Sequence, residues 1–222
     1  MSSKVDKRSE LVAEAAIEDP RARRRAERAA TNREDILDAA EHVFAEKGPA
    51  GGSLRDIAQT SGFSTAAIYN YFENKQHLLQ ATLLRRANAL YEALHAAAET
   101  ATKPIDKLHA IVDAAIAFFE TYPNFRRLLN YGPTTDDVLR SAIAELAVDN
   151  ADLFTKILDL IANVMRQGQR AKQVRPGSPH ALTRLYMVLV NEHVVLSSGH
   201  DRHDALTNDQ FHDLIDGALR PT

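Results

Sequence analysis

The sequence contains no cysteine among its 222 residues. Disulfides, thiolate metal ligands and cysteine nucleophiles are therefore excluded together, and nothing indicates an oxidising compartment. Long apolar runs are lacking too: no stretch of about eighteen apolar residues occurs, and MSSKVDKRSELVAEAAIEDP has no signal-peptide core. We expect a cytoplasmic protein that is neither exported nor membrane-spanning.

Motifs of common catalytic sites are also lacking, since the sequence has no GxSxG, P-loop or GxGxxG. Nine histidines are present, and HVVLSSGHDRHD groups His193, His200 and His203 with Asp204. Of these, His200 and His203 with Asp204 could ligate zinc or iron if the loop folded suitably. However, no histidine pair has the HxxxH spacing of a helical metal site, and polar loop histidines are usually solvated. We predict no catalytic residue, no metal and no cofactor.

Charge is unevenly distributed along the chain, although the formal net charge is only -3. Residues 20–86 carry 11 basic and 8 acidic side chains, whereas residues 87–222 carry 13 basic and 17 acidic ones. A modestly basic N-terminal part on an acidic body is typical of a polyanion-binding module joined to another domain. The stretch RARRRAER has no apolar periodicity, which predicts a flexible basic arm over residues 1–30. Its arginines are Arg21, Arg23, Arg24, Arg25 and Arg28.

Apolar residues recur at helical spacing beyond residue 30, and no alternating β-branched run competes. Asn32 is a candidate cap for a first helix that Gly48 ends, and PAGG follows as a loop. Ser53 and Ser64 are candidate caps for two short helices. Further helices are predicted at about 75–100, 104–121, 124–130, 136–147, 149–172, 179–198 and 208–219. The sequence therefore predicts an all-α protein.

The segment LRDIAQTSGFSTAAIYNYF has the spacing of two short crossing helices. Ala58 is small where the second helix crosses, Gly62 suits a turn position with positive φ, and Ile68 fills the angle between the helices. Ile57 and Phe63 add apolar cover from either side. This pattern predicts a helix-turn-helix, whose second helix enters the DNA major groove.

An inward Ile68 decides which of its neighbours face DNA. Thr65, Ala66, Tyr69 and Asn70 then point outward. The small side chains let the helix tip approach base edges, while Tyr69 reaches a base or a phosphate.

Residues next to this helix are candidates for phosphate contacts. Ser53 and Ser64, as caps, leave backbone N–H groups at two helix N-termini, and Lys75 adds a point charge at the next helix start. For Tyr71 two interpretations stay open: a hydroxyl contact to phosphate, or a ring packed beside Phe72. The arginine stretch is likewise either a solvated tail or an arm that enters the minor groove.

The stretch SLRDIAQTSGFSTAAIYNYFENKQHLL, preceded by ILDAAEHVFAEKG, resembles the N-terminal domain of the tetracycline-repressor (TetR) family of bacterial transcription regulators. The resemblance covers about residues 33–80, and the rest of the chain resembles the family only in length and helicity. By position it implies DNA contacts at Arg55, Thr65, Ala66, Tyr69, Tyr71 and Lys75, to which the capping and helix-face reasoning above adds Ser53, Ser64 and Asn70. Because residues 65–67 offer little hydrogen bonding, direct base reading would depend on Arg55 and Tyr69.

The resemblance also implies a domain plan: a basic arm over residues 1–30, a helix-turn-helix domain over 31–78, and an effector-binding and dimerisation bundle over 79–222. Aromatic and sulfur side chains of the bundle could line an apolar cavity for a hydrophobic or aromatic effector, or could be plain core. They are Tyr91, Phe118, Phe119, Tyr122, Phe125, Tyr131, Phe154, Met165 and Tyr186. The late helices LTRLYMVLVNEHVVL and FHDLIDGAL are too apolar for one buried side, which favours a four-helix homodimer contact.

Together these features predict a homodimeric, ligand-responsive repressor that binds a palindromic operator. Effector binding in the bundle would tilt helix 75–100 and change the separation of the two recognition helices. The alternatives are a nucleoid-associated structural DNA-binding protein of the same fold without an effector, and a metal-dependent enzyme that uses the histidine-rich loop.

Overall fold

The structure, a computed structural model, describes residues 20–130, 138, 141–142, 151–198 and 205–221. Within these ranges it is helical with no strand, which confirms the predicted all-α class. The helices are α1 (Pro20–Gly51), α2 (Leu54–Ser61), α3 (Thr65–Tyr69), α4 (Lys75–Thr100), α5 (Pro104–Thr121), α6 (Pro123–Asn130), α7 (Ala151–Arg170), α8 (Pro179–Ser198) and α9 (Asn208–Leu219). Most of the predicted helix 136–147 lies outside the described residues. No helix of the described part is long and apolar enough to cross a membrane.

Helix α1 begins earlier than its apolar pattern suggests. It starts at Pro20 and includes the arginine stretch, so the predicted flexible arm is wrong for residues 20–30; residues 1–19 lie outside the described part. Proline suits a first helical position, and arginine, alanine and glutamate are good helix formers that need no apolar stripe. Asn32 therefore lies inside the helix and does not cap it. Gly48, at φ 74° and ψ 158°, interrupts the helix as predicted.

The first apolar core joins α1, α2 and α3 to the start of α4. The side chains of Phe44, Ile57 and Ile68 are fully buried there, and Phe72 is nearly so. Ala58 is buried at the predicted crossing of α2 and α3. The inward positions read from the sequence are thus confirmed.

The second apolar core lies where α4, α5, α7, α8 and α9 meet. Helix α5 contacts α4, α7, α8 and α9, and α4 continues from this core back to α1. The hydroxyl of Tyr186 donates a hydrogen bond to the carbonyl of Leu108 across 2.6 Å, which joins α8 to α5. Because α4 takes part in both cores, it sets the position of the N-terminal helices on the body.

Paired charges attach α1 to α4. The guanidinium groups of Arg85 and Arg86 both contact the carboxylate of Glu41, at 3.1 and 2.6 Å, and Glu41 is only 4% exposed. Asp38 pairs with both arginines from the exposed side. Arg86 also lies over the ring of Tyr122 at the end of α5, 3.9 Å from its centroid. A single cluster therefore connects α1, α4 and α5.

Candidate nucleic-acid interface

Helix α2 starts at a capping box. The hydroxyl of Ser53 accepts from the N–H of Asp56, and the carboxylate of Asp56 accepts from the N–H of Ser53, so the predicted cap is confirmed. Lys47 donates to the same carboxylate, and this hydrogen bond, with the one from Ser53, lowers the pKa of Asp56 to about 2. The hydroxyl and N–H of Ser53 are therefore both engaged within the protein. The free N–H groups at this end belong to the first turn of α2.

Helix α3 is held at its N-terminal end and from behind. Ser64 caps it by accepting from the N–H of Ala67 at 3.1 Å, and Gly62 takes the left-handed conformation at φ 75° between α2 and α3. Both features match the sequence-based predictions. The fully buried Ile68 fixes the rotation of the helix about its axis.

The outer face of α3 presents few large side chains. Tyr69 is 56% exposed on this face. Ala66 and Asn70 are exposed beside it, whereas Thr65 is half-buried. Arg55 is exposed on the neighbouring α2. The predicted outward face of α3 is thus present, although Thr65 is only half-exposed on it. Contact between this face and DNA stays a prediction.

Tyr71, just after α3, shows the ring packing that was one of the two interpretations, and its phosphate contact stays a prediction. Its half-buried ring packs against the first core, and its hydroxyl oxygen accepts a hydrogen bond from Asn32 Nδ2 at 3.3 Å. Because the oxygen is the acceptor in this bond, the hydroxyl proton can be donated to another group. Asn32, expected as a helix cap, instead positions Tyr71 from α1.

Lys75 differs from its predicted role. Its ammonium group donates to three backbone carbonyls at the end of α1 and in the following loop, those of Pro49, Ala50 and Gly52, at 2.9, 3.1 and 3.0 Å. An ammonium has three protons to donate, and all three are used here. The expectation of a free point charge is therefore corrected: Lys75 braces the start of α4 against the entrance to α2.

The arginines of the N-terminal stretch lie on a helix and not on a flexible arm. The minor groove is about 6 Å wide and a helix with its side chains is about 10–12 Å across, so this segment cannot enter it as a helix. The side chains of Arg23 and Arg25 lie outside the described part. A cavity of about 450 Å³ opens along the helix, lined by Arg21, Arg24, Arg28, Ala29, Asn32 and Tyr71.

The predicted effector-pocket residues that the structure describes are divided between the two apolar cores. Phe118 and Phe125 are buried in the first core with Phe119 and Tyr122 packed against it, whereas Met165 and Tyr186 belong to the second core. Tyr91 packs against the second core from its edge. Tyr131 and the side chain of Phe154 lie outside the described residues.

Close packing explains why these side chains serve as core. Rings of Phe118 and Phe125 meet edge to face with centroids 6.3 Å apart, and Phe119 stacks on Phe125 at 6.1 Å. The hydroxyl of Tyr186 donates its proton in a hydrogen bond to the carbonyl of Leu108, and burial raises the pKa of Tyr186. The contacts of these residues are those of core side chains, and their part in an effector cavity stays a prediction.

An exposed apolar surface follows α8 and α9. Leu185 and Val188 are 65% and 66% exposed on α8, and Leu214 is 47% exposed on α9. A groove of about 450 Å³ between the two helices is lined mainly by apolar side chains, including Leu182, Leu189 and Leu219. The opposite side of α8 is buried in the second core. Helix α8 is thus apolar on two sides, as the run LYMVLV predicted.

The histidines of the described part do not gather at a metal site. His193 lies in α8, only 4% exposed and stacked on Phe211 with ring centroids 4.0 Å apart. Burial is the main reason that its pKa is lowered. No group of three or more potential ligands occurs in the part of the chain that the structure describes. The loop residues His200, His203 and Asp204 lie outside that part.

Comparison with known families places the N-terminal helices in context. Residues 36–82 match the model of bacterial regulatory proteins, tetR family. The chain is 28% identical over 91 residues to the HTH-type transcriptional repressor KstR2 of Mycolicibacterium smegmatis, covering 41% of this chain and 44% of that protein. It is 44% identical over 61 residues to the HTH-type transcriptional regulator TtgR of Pseudomonas putida, covering 28% and 29%. The matches thus span less than half the length of these relatives.

Structural similarity to solved proteins extends over more of the chain than these sequence matches do. The transcriptional regulator FadR from Bacillus subtilis, solved in complex with stearoyl-CoA, superposes with a TM-score of 0.70 over 84% of this chain and 99% of that one. The two sequences are 18% identical, so this likeness shows the fold alone. The matched residues 36–82 include the capped α2, the turn at Gly62 and the whole of α3.

Proposed function

We propose, from the membership of residues 36–82 in the tetR family of bacterial regulatory proteins, that this protein is a transcriptional regulator that binds operator DNA through α3. The observation that carries the proposal is the outer face of α3. Tyr69 is exposed there beside small side chains, while Ile68 and the caps hold the helix rigidly from behind. We propose no enzymatic role. A regulator of chromosomal genes acts in the cytoplasm, which is the compartment we propose.

The proposed contacts divide into base-facing and phosphate-facing groups. Tyr69 and Arg55 are the exposed side chains long enough to reach base edges, and Ala66 allows a close approach of the helix. The N–H groups in the first turns of α2 and α3 are suited to phosphate oxygens, since Ser53 and Ser64 leave some of them unused. Asn70 and Thr65 remain candidate contacts at the edges of this face.

We further propose that the protein is a homodimer joined through α8 and α9. Leu185, Val188 and Leu214 form an apolar surface that water solvates poorly, and a second copy of the same surface would cover it. A two-fold axis there would present two α3 helices to the half-sites of a palindrome. This arrangement explains why α8 is apolar on both sides.

An effector that lowers DNA affinity completes the proposal. KstR2 is named a repressor, and FadR was solved with stearoyl-CoA, so an apolar ligand such as a fatty acyl thioester is a reasonable first candidate here. Such a ligand would bind in the body and displace α4 relative to α5 and α6. An effector-independent, nucleoid-associated DNA-binding protein is the alternative, favoured by the burial of Phe125 and Met165 in the two apolar cores.

The decisive experiment is selection of bound duplexes from a random pool with the full chain. A palindromic consensus supports the regulator, whereas enrichment of no sequence supports the nucleoid-associated alternative. Fluorescence anisotropy on the selected duplex then compares Tyr69→Phe with Tyr91→Phe, a control that removes the same hydroxyl from α4. Loss of one hydrogen bond should weaken binding about fivefold for Tyr69→Phe and leave the control unchanged. Equal affinities for both would show that the Tyr69 hydroxyl makes no contact with DNA.

The effector is tested on the same duplex. A series of acyl-CoA thioesters of increasing chain length is titrated into the complex, with free coenzyme A as the control. Release of DNA by a thioester and not by coenzyme A supports an apolar effector. If no member releases DNA although binding is sequence-specific, acyl thioesters are eliminated as the class.

A further inference from the structure

A row of arginines extends the surface of α3 along the first helix. Arg21, Arg24 and Arg28 are exposed and follow one another at spacings of three and four residues, which places them on one face of α1. The sequence between residues 20 and 30 has five arginines and one glutamate, Glu27. This end of α1 is therefore strongly positive on a chain whose net charge is -3.

The C-terminal end of this row of arginines lies next to the segment that follows α3. Asn32 continues the same face of α1 one turn after Arg28, and its amide donates to the hydroxyl oxygen of Tyr71 at 3.3 Å. The cavity of about 450 Å³ along α1, called the arginine groove from here on, is lined by Tyr71 and Asn32 at one end and by Arg21 at the other. Since Tyr71 is two residues beyond Tyr69, the arginine groove begins where the proposed major-groove surface ends.

From this geometry we infer that the arginine groove binds the sugar–phosphate backbone of the same duplex that α3 reads. This inference rests on the proposed function. In it, Arg24 and Arg28 contact two phosphates of one strand, and Tyr71, oriented by Asn32, donates its free hydroxyl proton to the phosphate nearest α3. The bound group is the phosphodiester of duplex DNA.

The dimensions of the arginine groove fit a run of phosphates. Arg21 and Asn32 are separated by eleven helical residues, or about 16 Å along the axis of α1. One DNA strand presents a phosphate about every 3.4 Å along the duplex axis, so roughly five phosphates fall within that length. A side-by-side contact of helix and backbone also needs no entry into the narrow minor groove, which excludes a helix.

The test measures salt dependence with the full chain. Arg24→Gln/Arg28→Gln is compared with Lys172→Gln/Arg220→Gln, which removes two charges from exposed positions after α7 and α9. Anisotropy is recorded over a salt series on the selected duplex with either A·T-rich or G·C-rich flanks. Circular dichroism establishes that the helix content of both variants equals that of the parent.

The expected result is a slope of log K against log salt that is smaller by about 1.8 for the α1 variant, near 0.9 for each lost phosphate contact. If both proteins bind equally at 1 M salt, this slope difference corresponds to roughly sixtyfold weaker binding by the α1 variant at 0.1 M salt. The loss should be the same for both flanks, and the control variant should keep the slope of the parent.

Three results would overturn the inference. An unchanged slope for the α1 variant means that the arginine groove does not contact phosphate, and a loss confined to A·T-rich flanks means that the arginines read the minor groove. An arginine groove built for a free polyphosphate would show stabilisation by inorganic triphosphate that the variant loses while its DNA binding stays parental. If the selection yields no duplex that the parent protein binds, the proposed function itself is wrong. That result is distinct from the three above, in which the parent binds DNA and only the inference about the arginine groove is wrong.

Discussion

Replacing Lys75 by methionine distinguishes a structural role of the Lys75 ammonium group from a contact with DNA. Methionine keeps the apolar length of the side chain and removes the three donated hydrogen bonds to Pro49, Ala50 and Gly52. Hydrogen bonds from a charged donor contribute about 1.5–3 kcal/mol each when buried. Lys75 is half-buried, so water replaces part of the loss and the sum is much smaller. We expect Lys75→Met to reduce the free energy of unfolding by about 2 kcal/mol.

The assay combines thermal unfolding with salt-dependent DNA binding. In a chain of this length, 2 kcal/mol corresponds to a fall in Tm of roughly 4–8 °C. DNA binding should weaken because α2 loses its fixed position, but the salt slope should equal that of the parent, since the ammonium is already occupied. Lys172→Met, in an exposed turn, is the matched control and should leave both measurements unchanged.

The opposite pair of results would refute this reasoning. If Lys75→Met unfolds at the parental temperature and its salt slope falls by about 0.9, the ammonium contacts a phosphate as a free charge. The brace seen in the structure would then be a state of the unbound protein only.

Three further perturbations test the dimer, the α1–α4 attachment and the capping box. Leu185→Glu/Val188→Glu should give a folded monomer in analytical ultracentrifugation, since both side chains are about two-thirds exposed; a persisting dimer would place the interface elsewhere. Glu41→Ala should cost about 3 kcal/mol in urea unfolding, because Arg85 and its neighbour lose a buried partner, and a loss below about 1 kcal/mol would contradict that role. Asp56, with its pKa lowered to about 2, stabilises the native state when ionised, and this contribution is lost as pH falls from about 4 to 2. Asp56→Asn should therefore lose less stability than the parent over that range, measured by circular dichroism, and parallel curves would contradict the linkage.

Short-range features of the site were predictable from the sequence because each depends on neighbours a few residues away. Ser53 and Ser64 cap helices that begin at the next residue, and Gly62 takes its positive φ within a turn. Ile68 could be placed inward from helical periodicity alone. Tyr69 could then be placed outward, since one residue along a helix changes the face.

The features that the sequence did not reveal depend on contacts between distant positions. The carbonyls that receive Lys75 precede it by 23 to 26 residues, and Asn32 meets Tyr71 from 39 residues away. No local pattern marks either contact. Residues 20–30 were mistaken for an arm because exposed helices need propensity and not apolar periodicity. Aromatic residues such as Phe125 look alike in a sequence whether they line a cavity or fill a core.

The strength of each link to α1 indicates where an effector signal can be produced. The carboxylate of Glu41 is buried and pairs with two guanidinium groups. Separating α1 from α4 would leave this buried charge unpaired, at a cost of several kcal/mol. We infer that α1 and α4 move together. The ion pair between Arg127 of α6 and Glu46 of α1 is about half exposed on both sides, and such pairs contribute at most about 1 kcal/mol. Phe125 and Leu128 of α6 are also buried in the first core with side chains of α1, so a ligand that displaces α6 would have to expose them. Any change in the separation of the α3 helices should therefore move α1 and α4 as one unit.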